Sequence, residues 1–296
     1  MLAHLERFLS EHESEYSQET IEKYGRSLLD LASWLEQNQI DNPNQVSSKH
    51  LRDWLASKST WGQSSRHVAL SACRSFFRWA IGKSNSPAEL IPLPKRVVKP
   101  QRTLTAAQIE RLLEPLDTSR PKGVRDLALI ALLIDSGLRS SEICRLETEH
   151  LDLDERTLVV QVKGGRFEKG VFSAYTASTL ESWLSVRPKY ARGSARTVFV
   201  SVGGGKPGSP LTRYGLQSNL RKLGEAAGIG PISPHDFRRS FATLALRSGA
   251  PTRVVQVAGR WRDLGMVEVY SQAITPEDFE PYFPMNGIMG LRPGAD

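Results

Sequence analysis

Apolar residues recur at three- and four-residue steps through the first ninety or so positions. Ile21, Tyr24, Leu28, Leu31 and Leu35 mark one such face, and Ala69, Cys73, Phe76 and Ala80 mark a later one. That period belongs to helices with one buried side. The later helix also carries Arg66, Arg74 and Arg78. Arg74 and Arg78 stand one turn apart on one side, where paired guanidinium groups suit a phosphate backbone; an ordinary charged outer face gives the same pattern. Between 84 and 102 the period disappears. Pro87, Pro92, Pro94 and Pro100 break any helix, and Lys95, Arg96, Lys99 and Arg102 make the stretch basic. A semi-extended linker suited to running along a polyanion is expected there. A new helix opens at Thr105, where Gln108 completes a capping box.

Further on the pattern is mixed. Residues 126–136 read as a buried helix ending at Gly137, and 157–162 as a β-branched strand running into Lys163, Gly164 and Gly165. A second strand follows near Val171 and a third short one over 197–200, before the glycine run Gly203, Gly204 and Gly205; helices resume from Leu211. The expected class is mainly α with a small β-sheet (α+β). Its parts are a helical domain over 1–90, a basic proline-rich linker over 91–103 and a mixed domain over 104–296.

Length and charge narrow the partners. The 296 residues suffice for two domains with separate cores. Lys and Arg outnumber Asp and Glu by 39 to 32, which favours a polyanionic partner through counterion release, though a merely solvated basic surface fits the charge equally well. The longest apolar run, 127–134, is bounded by Arg125, Asp126 and Asp135 and is too short to cross a bilayer. The N-terminus turns acidic at once, unlike a signal peptide. A cytoplasmic protein with no membrane partner is expected.

Two apparent motifs carry little. Gly203-Gly204-Gly205-Lys206 is followed by Pro207, where a phosphate loop needs Ser or Thr. Asp152, Asp154 and Glu155 sit in a short polar connection, where Asp favours turns more often than metal. Cys73 and Cys144 form no metal knuckle, and no pair of the six histidines has zinc-ligand spacing. No metal is expected.

Four other segments point to one chemistry. Arg139 starts a helix just after Gly137, with Glu142 one turn on, so the carboxylate can orient the guanidinium. Lys163 tips a strand-turn-strand. Ser233 caps a helix whose first turn holds Pro234 and Asp236, and His235 and Arg238 share a face beside its anion-favouring N-terminus. Finally, Trp261 precedes Tyr270 by nine residues, following Gly259 and Arg260. Taken singly, these are an ordinary ion pair, a solvated lysine and a core tyrosine.

Taken together and in this order, Arg139-x-x-Glu142, Lys163, His235-x-x-Arg238, Trp261 and Tyr270 resemble the tyrosine recombinase (phage integrase) family. The N-terminal helices and linker resemble its core-binding domain, so the likeness spans nearly the whole chain. One departure stands out. Xer-type members carry a Gly-His pair ahead of the nucleophile, and the spacing to Tyr270 aligns Trp261, not Arg260, with that histidine. This points toward a mobile-element integrase over a housekeeping resolution enzyme.

The resemblance implies two domains forming a clamp around DNA, and a nucleoid-associated protein. Tyr270 is the implied nucleophile, with Arg139 and Arg238 clamping the phosphate and Trp261 donating from its indole. His235 is implied as base or donor, Lys163 as acid for the leaving 5′-oxygen, and Glu142 as support. No cofactor is implied, since the 3′-phosphotyrosine keeps the phosphoester energy. Implied partners are duplex DNA with inverted-repeat sites and three further copies in a tetramer linked by exchange of the C-terminal tail, 274–296; accessory proteins stay open. A type IB-like topoisomerase and a non-cutting DNA-binding regulator are the rival readings.

Overall fold

A computed structural model describes residues 1–94, 102–162, 165–193, 195–203 and 206–271, apart from the side chains of Met266, Val269 and Ser271. The predicted Lys95, Arg96 and Lys99 of the linker, the hairpin Lys163, two of the three clustered glycines (Gly204 and Gly205) and the tail 274–296 lie outside the described residues. The chain divides into two compact units, Met1–Pro100 and Gln101–Asp296.

The first unit is built from α1 (Leu2–Glu11), α2 (Gln18–Gln37), α3 (Ser48–Ser57) and α4 (Gln63–Ile81), with short 3-10 turns between and after them. Ser17 caps α2 by accepting from the Thr20 N–H, and Ser47 does the same for α3 through His50. The apolar face predicted for α2 is the buried one at Leu28, Leu31 and Leu35, while Ile21 and Tyr24 are half-buried at its start. It packs on α4, whose Ala69, Cys73 and Phe76 are fully buried and whose Phe76 ring meets Phe8 of α1 edge-on at 5.7 Å.

The arginines of α4 have partners within the first unit. Arg66 donates to the carbonyls of Leu55, Lys58 and Trp61, closing the end of α3. Arg74 donates to Ala88 and Ile91, and Arg78 pairs with Glu89. Arg74 and Arg78 hold down the segment after α4, whose carbonyls lack the donors that a regular ladder would supply. The expected linker is likewise anchored at both ends. Leu93 packs on the first unit's core and the Pro94 carbonyl contacts the His67 ring, while Arg102 donates to Ile229 and Pro231 in the second unit.

The second unit opens with α5 (Ala106–Leu113), which has the reciprocal Thr105–Gln108 cap that its sequence predicts. At its centre is α6 (Pro121–Ser136), started by proline and packed between α8 (Ala174–Val186) and α10 (Pro234–Arg247). Leu129, Ile130, Leu132 and Leu133 of α6 are fully buried, each stabilising the fold by roughly 1.5–3 kcal/mol. The short α7 (Ser140–Arg145) follows, then an antiparallel sheet of β1 (Leu151–Asp152), β2 (Thr157–Gln161) and β3 (Phe167–Val171) in that order. Leu158 and Val160 of β2 face the core and Val159 pairs with Lys169 across the ladder. Among the described residues the unit continues with α9 (Arg213–Ala226), α10, α11 (Thr252–Ala258) and α12 (Gly265–Ser271).

One predicted strand is absent. Residues 197–200 form only isolated bridges, Glu147 with Thr197 and Val200 with Pro210, and the third strand is β1 instead. Val198, Phe199 and Val200 are fully buried, which explains their strand-like composition. Their backbone is satisfied piecemeal: the Val198 carbonyl accepts from the Trp183 indole and Arg187, and the Val198 N–H donates to Leu146. Asp152 ends β1, and its carboxylate accepts from the Glu155 N–H at 2.8 Å, closing the turn into β2.

Candidate active site

The site begins where α6 stops. Gly137 adopts φ +56°, and a Cβ there would lie 2.5 Å from the Phe241 ring, so both backbone and space require glycine. The turn leaves the last carbonyls of α6 without helical partners. Two guanidiniums take them: Arg238 Nη1 donates to Gly137 at 2.5 Å, and Arg260 Nη2 donates to Ser136 at 2.9 Å. Cations at this end also complement the negative pole of the helix dipole.

Past the corner, Arg139 caps α7. Its N–H donates to Glu142 Oε2 at 2.9 Å, and its Nη1 donates to Oε1 at 2.6 Å, the pairing expected from the spacing. The Glu142 side chain is 3% exposed but that of Arg139 is 43% exposed. The carboxylate therefore anchors one edge of a guanidinium that stays exposed enough to meet an incoming anion.

Arg238 is buried on α10. Its Nη2 donates to the Gly259 carbonyl at 2.7 Å, and its guanidinium lies 4.3 Å from the Trp261 ring centre. Burial, reinforced by Arg139, lowers its pKa to about 10, so it stays charged at neutral pH. Trp261 in turn stacks on Phe241 at 6.1 Å and tilts against Tyr270 at 5.3 Å. Gly259 permits this, because a Cβ on it would sit 1.7 Å from the indole. Tyr270, on α12, is buried.

His235 occupies the first turn of α10, which is fixed by a Ser233–Asp236 capping box. Its ring is exposed. Surrounding protein atoms, then Arg239 and Arg238, nevertheless hold its pKa below the ordinary imidazole value. Arg239 belongs to this neighbourhood, bonded to Asp236 at 3.2 Å. A cavity of about 730 Å³ opens at His235, lined also by Ser140, Ser233, Arg213, Tyr214 and Gln217.

The second unit thus gathers Arg139, Glu142, Arg238, Trp261 and Tyr270, with His235 on the rim; Lys163 is outside the described residues. Two features escaped the sequence reading. One is the exposed start of α9, Arg213, Tyr214 and Gln217, whose only signal was the Thr212 cap, which accepts from the Gly215 N–H. The other is Arg260, visible only as a misfit beside Trp261.

The order of these residues along the chain can be set against known families. Residues 102–275 match the phage integrase family, and residues 5–84 match the N-terminal SAM-like domain of phage integrases. This chain belongs to the phage integrase family of tyrosine recombinases. It is 32% identical over 278 residues to tyrosine recombinase XerC of Xanthomonas campestris pv. campestris (strain B100), covering 91% of this chain and 82% of that protein. It is 33% identical over 264 residues to tyrosine recombinase XerD of Listeria innocua serovar 6a (strain ATCC BAA-680 / CLIP 11262), covering 86% and 88%. Among solved structures, XerH site-specific recombinase in its post-cleavage complex with palindromic difH substrate superposes with TM-score 0.73 at 19% identity, over 90% of this chain and 80% of that one. A lambda integrase dimer bound to a COC′ core site gives 0.72 at 16%, over 93% and 78%. At such identities the likeness to these two structures concerns the fold.

Proposed function

We propose that this tyrosine recombinase cuts and rejoins DNA through Tyr270. The single observation carrying this reading is the contact of Trp261 with both Arg238 and Tyr270, with the exposed Arg139 nearby: one buried and one accessible guanidinium in the neighbourhood of a tyrosine.

The Tyr270 oxygen attacks phosphorus and the bond to the 5′-oxygen breaks, giving a 3′-phosphotyrosine and a 5′-hydroxyl. Tyrosine has a reference pKa near 10, so its proton must be accepted as the bond forms. His235, its pKa held low, is neutral at pH 7 and suits that task. Lys163 supplies the proton for the leaving 5′-oxygen. Negative charge growing on the non-bridging oxygens is met by Arg139 and Arg238, oriented in advance by Glu142, Gly137 and Gly259. Trp261 offers its indole N–H as a neutral donor. A second DNA end reverses the step with no outside energy source.

Duplex DNA meets the second unit at the cavity beside His235, where Arg213 and Gln217 offer donors to phosphate or base edges and Tyr214 is exposed. Strand exchange requires two duplexes with inverted-repeat sites and four protomers, held together by the tail 274–296. Trp261 in place of the Xer-type histidine favours a mobile-element integrase.

The test is to trap protein–DNA adducts with denaturant in cells carrying the protein or its Tyr270→Phe variant, and to sequence the attached DNA. Adducts at a repeated inverted site from the wild type alone support the reading. Scattered adducts favour a topoisomerase, and none from either protein, with DNA binding intact, favours a non-cutting regulator. Truncation after Gln272 that leaves strand exchange unchanged removes the tail from the account.

A further inference from the structure

Arg260, between Gly259 and Trp261, carries an unusual backbone. Its φ is +55°, a left-handed conformation that an L-residue with a side chain adopts at a cost. Its side chain is 2% exposed, so a cation has also been taken out of water. Two unfavourable features at one residue call for a compensating role.

The contacts supply one. Nη1 donates to the Ala258 carbonyl and Nη2 to the Ser136 carbonyl, both at 2.9 Å, and Nη2 lies 3.6 Å from Glu142 Oε2. The Nε is buried with no partner, so the side chain is placed by its two terminal nitrogens. Glu142 therefore sits between two guanidiniums, Arg260 on one side and Arg139 on the other. The backbone adds a second link, because Arg139 Nη2 reaches the Arg260 carbonyl at 3.4 Å. Arg260 also holds Ser136, next to the Gly137 carbonyl that Arg238 holds. One buried fork thus touches the supports of both arginines assigned to the phosphate.

We propose that Arg260 is a positioning residue that fixes Glu142 and the Ser136–Gly137 corner, setting Arg139 and Arg238 in register for the scissile phosphate without touching DNA itself. This rests on the reading of the site as the phosphotyrosine-forming centre. A lysine cannot replace it, since one ammonium cannot span two carbonyls and a carboxylate in the geometry of a planar fork.

The experiment measures single-turnover adduct formation at saturating DNA, DNA affinity and melting temperature for the full chain and for Arg260→Gly, Arg260→Lys, Glu142→Gln and the Arg260→Gly/Glu142→Gln double variant. Arg260→Gly is expected to slow adduct formation about 10- to 100-fold, the scale of a small misplacement of reacting groups. Its DNA affinity should stay within about threefold, a loss in kcat rather than in binding. Arg260→Lys should recover little of the rate. In the Glu142→Gln background, Arg260→Gly should add less than about twofold, because both changes release the same arginines. A variant that melts below the assay temperature is set aside, and Arg260→Lys, which keeps the charge, then carries the same comparison. Wild-type rates in Arg260→Gly and Arg260→Lys, a loss confined to DNA affinity, or effects that multiply in full with Glu142→Gln would overturn the proposal. No adduct from the wild type would overturn the functional reading and this proposal with it; adduct formation undiminished by Arg260→Gly and Arg260→Lys overturns this proposal alone.

Discussion

The guanidinium of Arg238 lies 4.3 Å from the centre of the Trp261 indole, and the other side of that network is Tyr270, whose ring is 5.3 Å from the same indole. Trp261 therefore does two jobs, holding a desolvated cation and packing the tyrosine beside it. A cation–π contact of this kind contributes up to about 2 kcal/mol when desolvated. Trp261→Ala should destabilise the second unit by about 3–5 kcal/mol, as for other buried large-to-small changes, and nearly abolish adduct formation. Trp261→His, which restores a ring and an N–H donor, should keep measurable cleavage. Thermal melting and single-turnover cleavage distinguish the two. Equal activity in Trp261→Ala and wild type would remove Trp261 from the site.

Arg139 and Arg238 should separate stability from chemistry. Each alanine variant is expected to lower single-turnover cleavage by about 100-fold or more, the loss seen when one pre-aimed donor to a transition-state oxyanion is removed. Arg238→Ala also strands the Gly137 and Gly259 carbonyls, at about 1–3 kcal/mol for each buried group left unpaired. Arg139 is far more exposed, and Glu142 keeps the Arg139 N–H and Arg260 as partners, so Arg139→Ala should melt closer to wild type. Near-normal cleavage in both would contradict the clamp.

The pH dependence follows from His235. Its pKa in the folded protein is below 6.5, by desolvation first and then by Arg239 and Arg238. The folded imidazole thus stays neutral, and able to accept a proton, to a lower pH than an unperturbed histidine. For stability, the unfolded chain binds the proton more readily. Its contribution is complete above 6.5 and is lost as pH falls from there through the lower folded pKa. Cleavage should hold down to pH 6.5 and decline on the acid side of it, and His235→Gln should be slower and lack that limb. An acid limb unchanged in His235→Gln would assign it to another group.

How far the site could be read in advance depends on the sequence distance between partners. Arg139 with Glu142, Thr105 with Gln108, and Ser233 with Asp236 are three residues apart, and helical geometry alone brings them together. Arg260 reaches Ser136 across 124 residues, and no local pattern announces such a contact. The bonds of Arg74 to the Ala88 and Ile91 carbonyls are equally silent in the sequence, because a carbonyl acceptor carries no signature in residue type. The strand expected over 197–200 failed differently. Complete burial demands β-branched and aromatic residues there whether the backbone is paired in a ladder or satisfied by Trp183 and Arg187.

Gly137 offers a test of the corner itself. Gly137→Ala must place a Cβ at φ +56° and 2.5 Å from the Phe241 ring, at about 1–2 kcal/mol for the backbone and about 1–3 kcal/mol for the overpacking. Lower melting and slower cleavage are expected. Adding Phe241→Leu should relieve the overpacking but not the backbone strain. Full recovery in the double variant would show that the left-handed turn is not needed.

The most direct test of the central claim is to form the covalent adduct in vitro with duplex DNA carrying the site recovered from cells, digest the DNA and the protein, and locate the nucleotide-bearing residue by mass spectrometry. The account predicts a phosphodiester-linked nucleotide on Tyr270 and none in the Tyr270→Phe variant. A nucleotide on Tyr214, the exposed tyrosine at the cavity, or adduct persisting in Tyr270→Phe would contradict it.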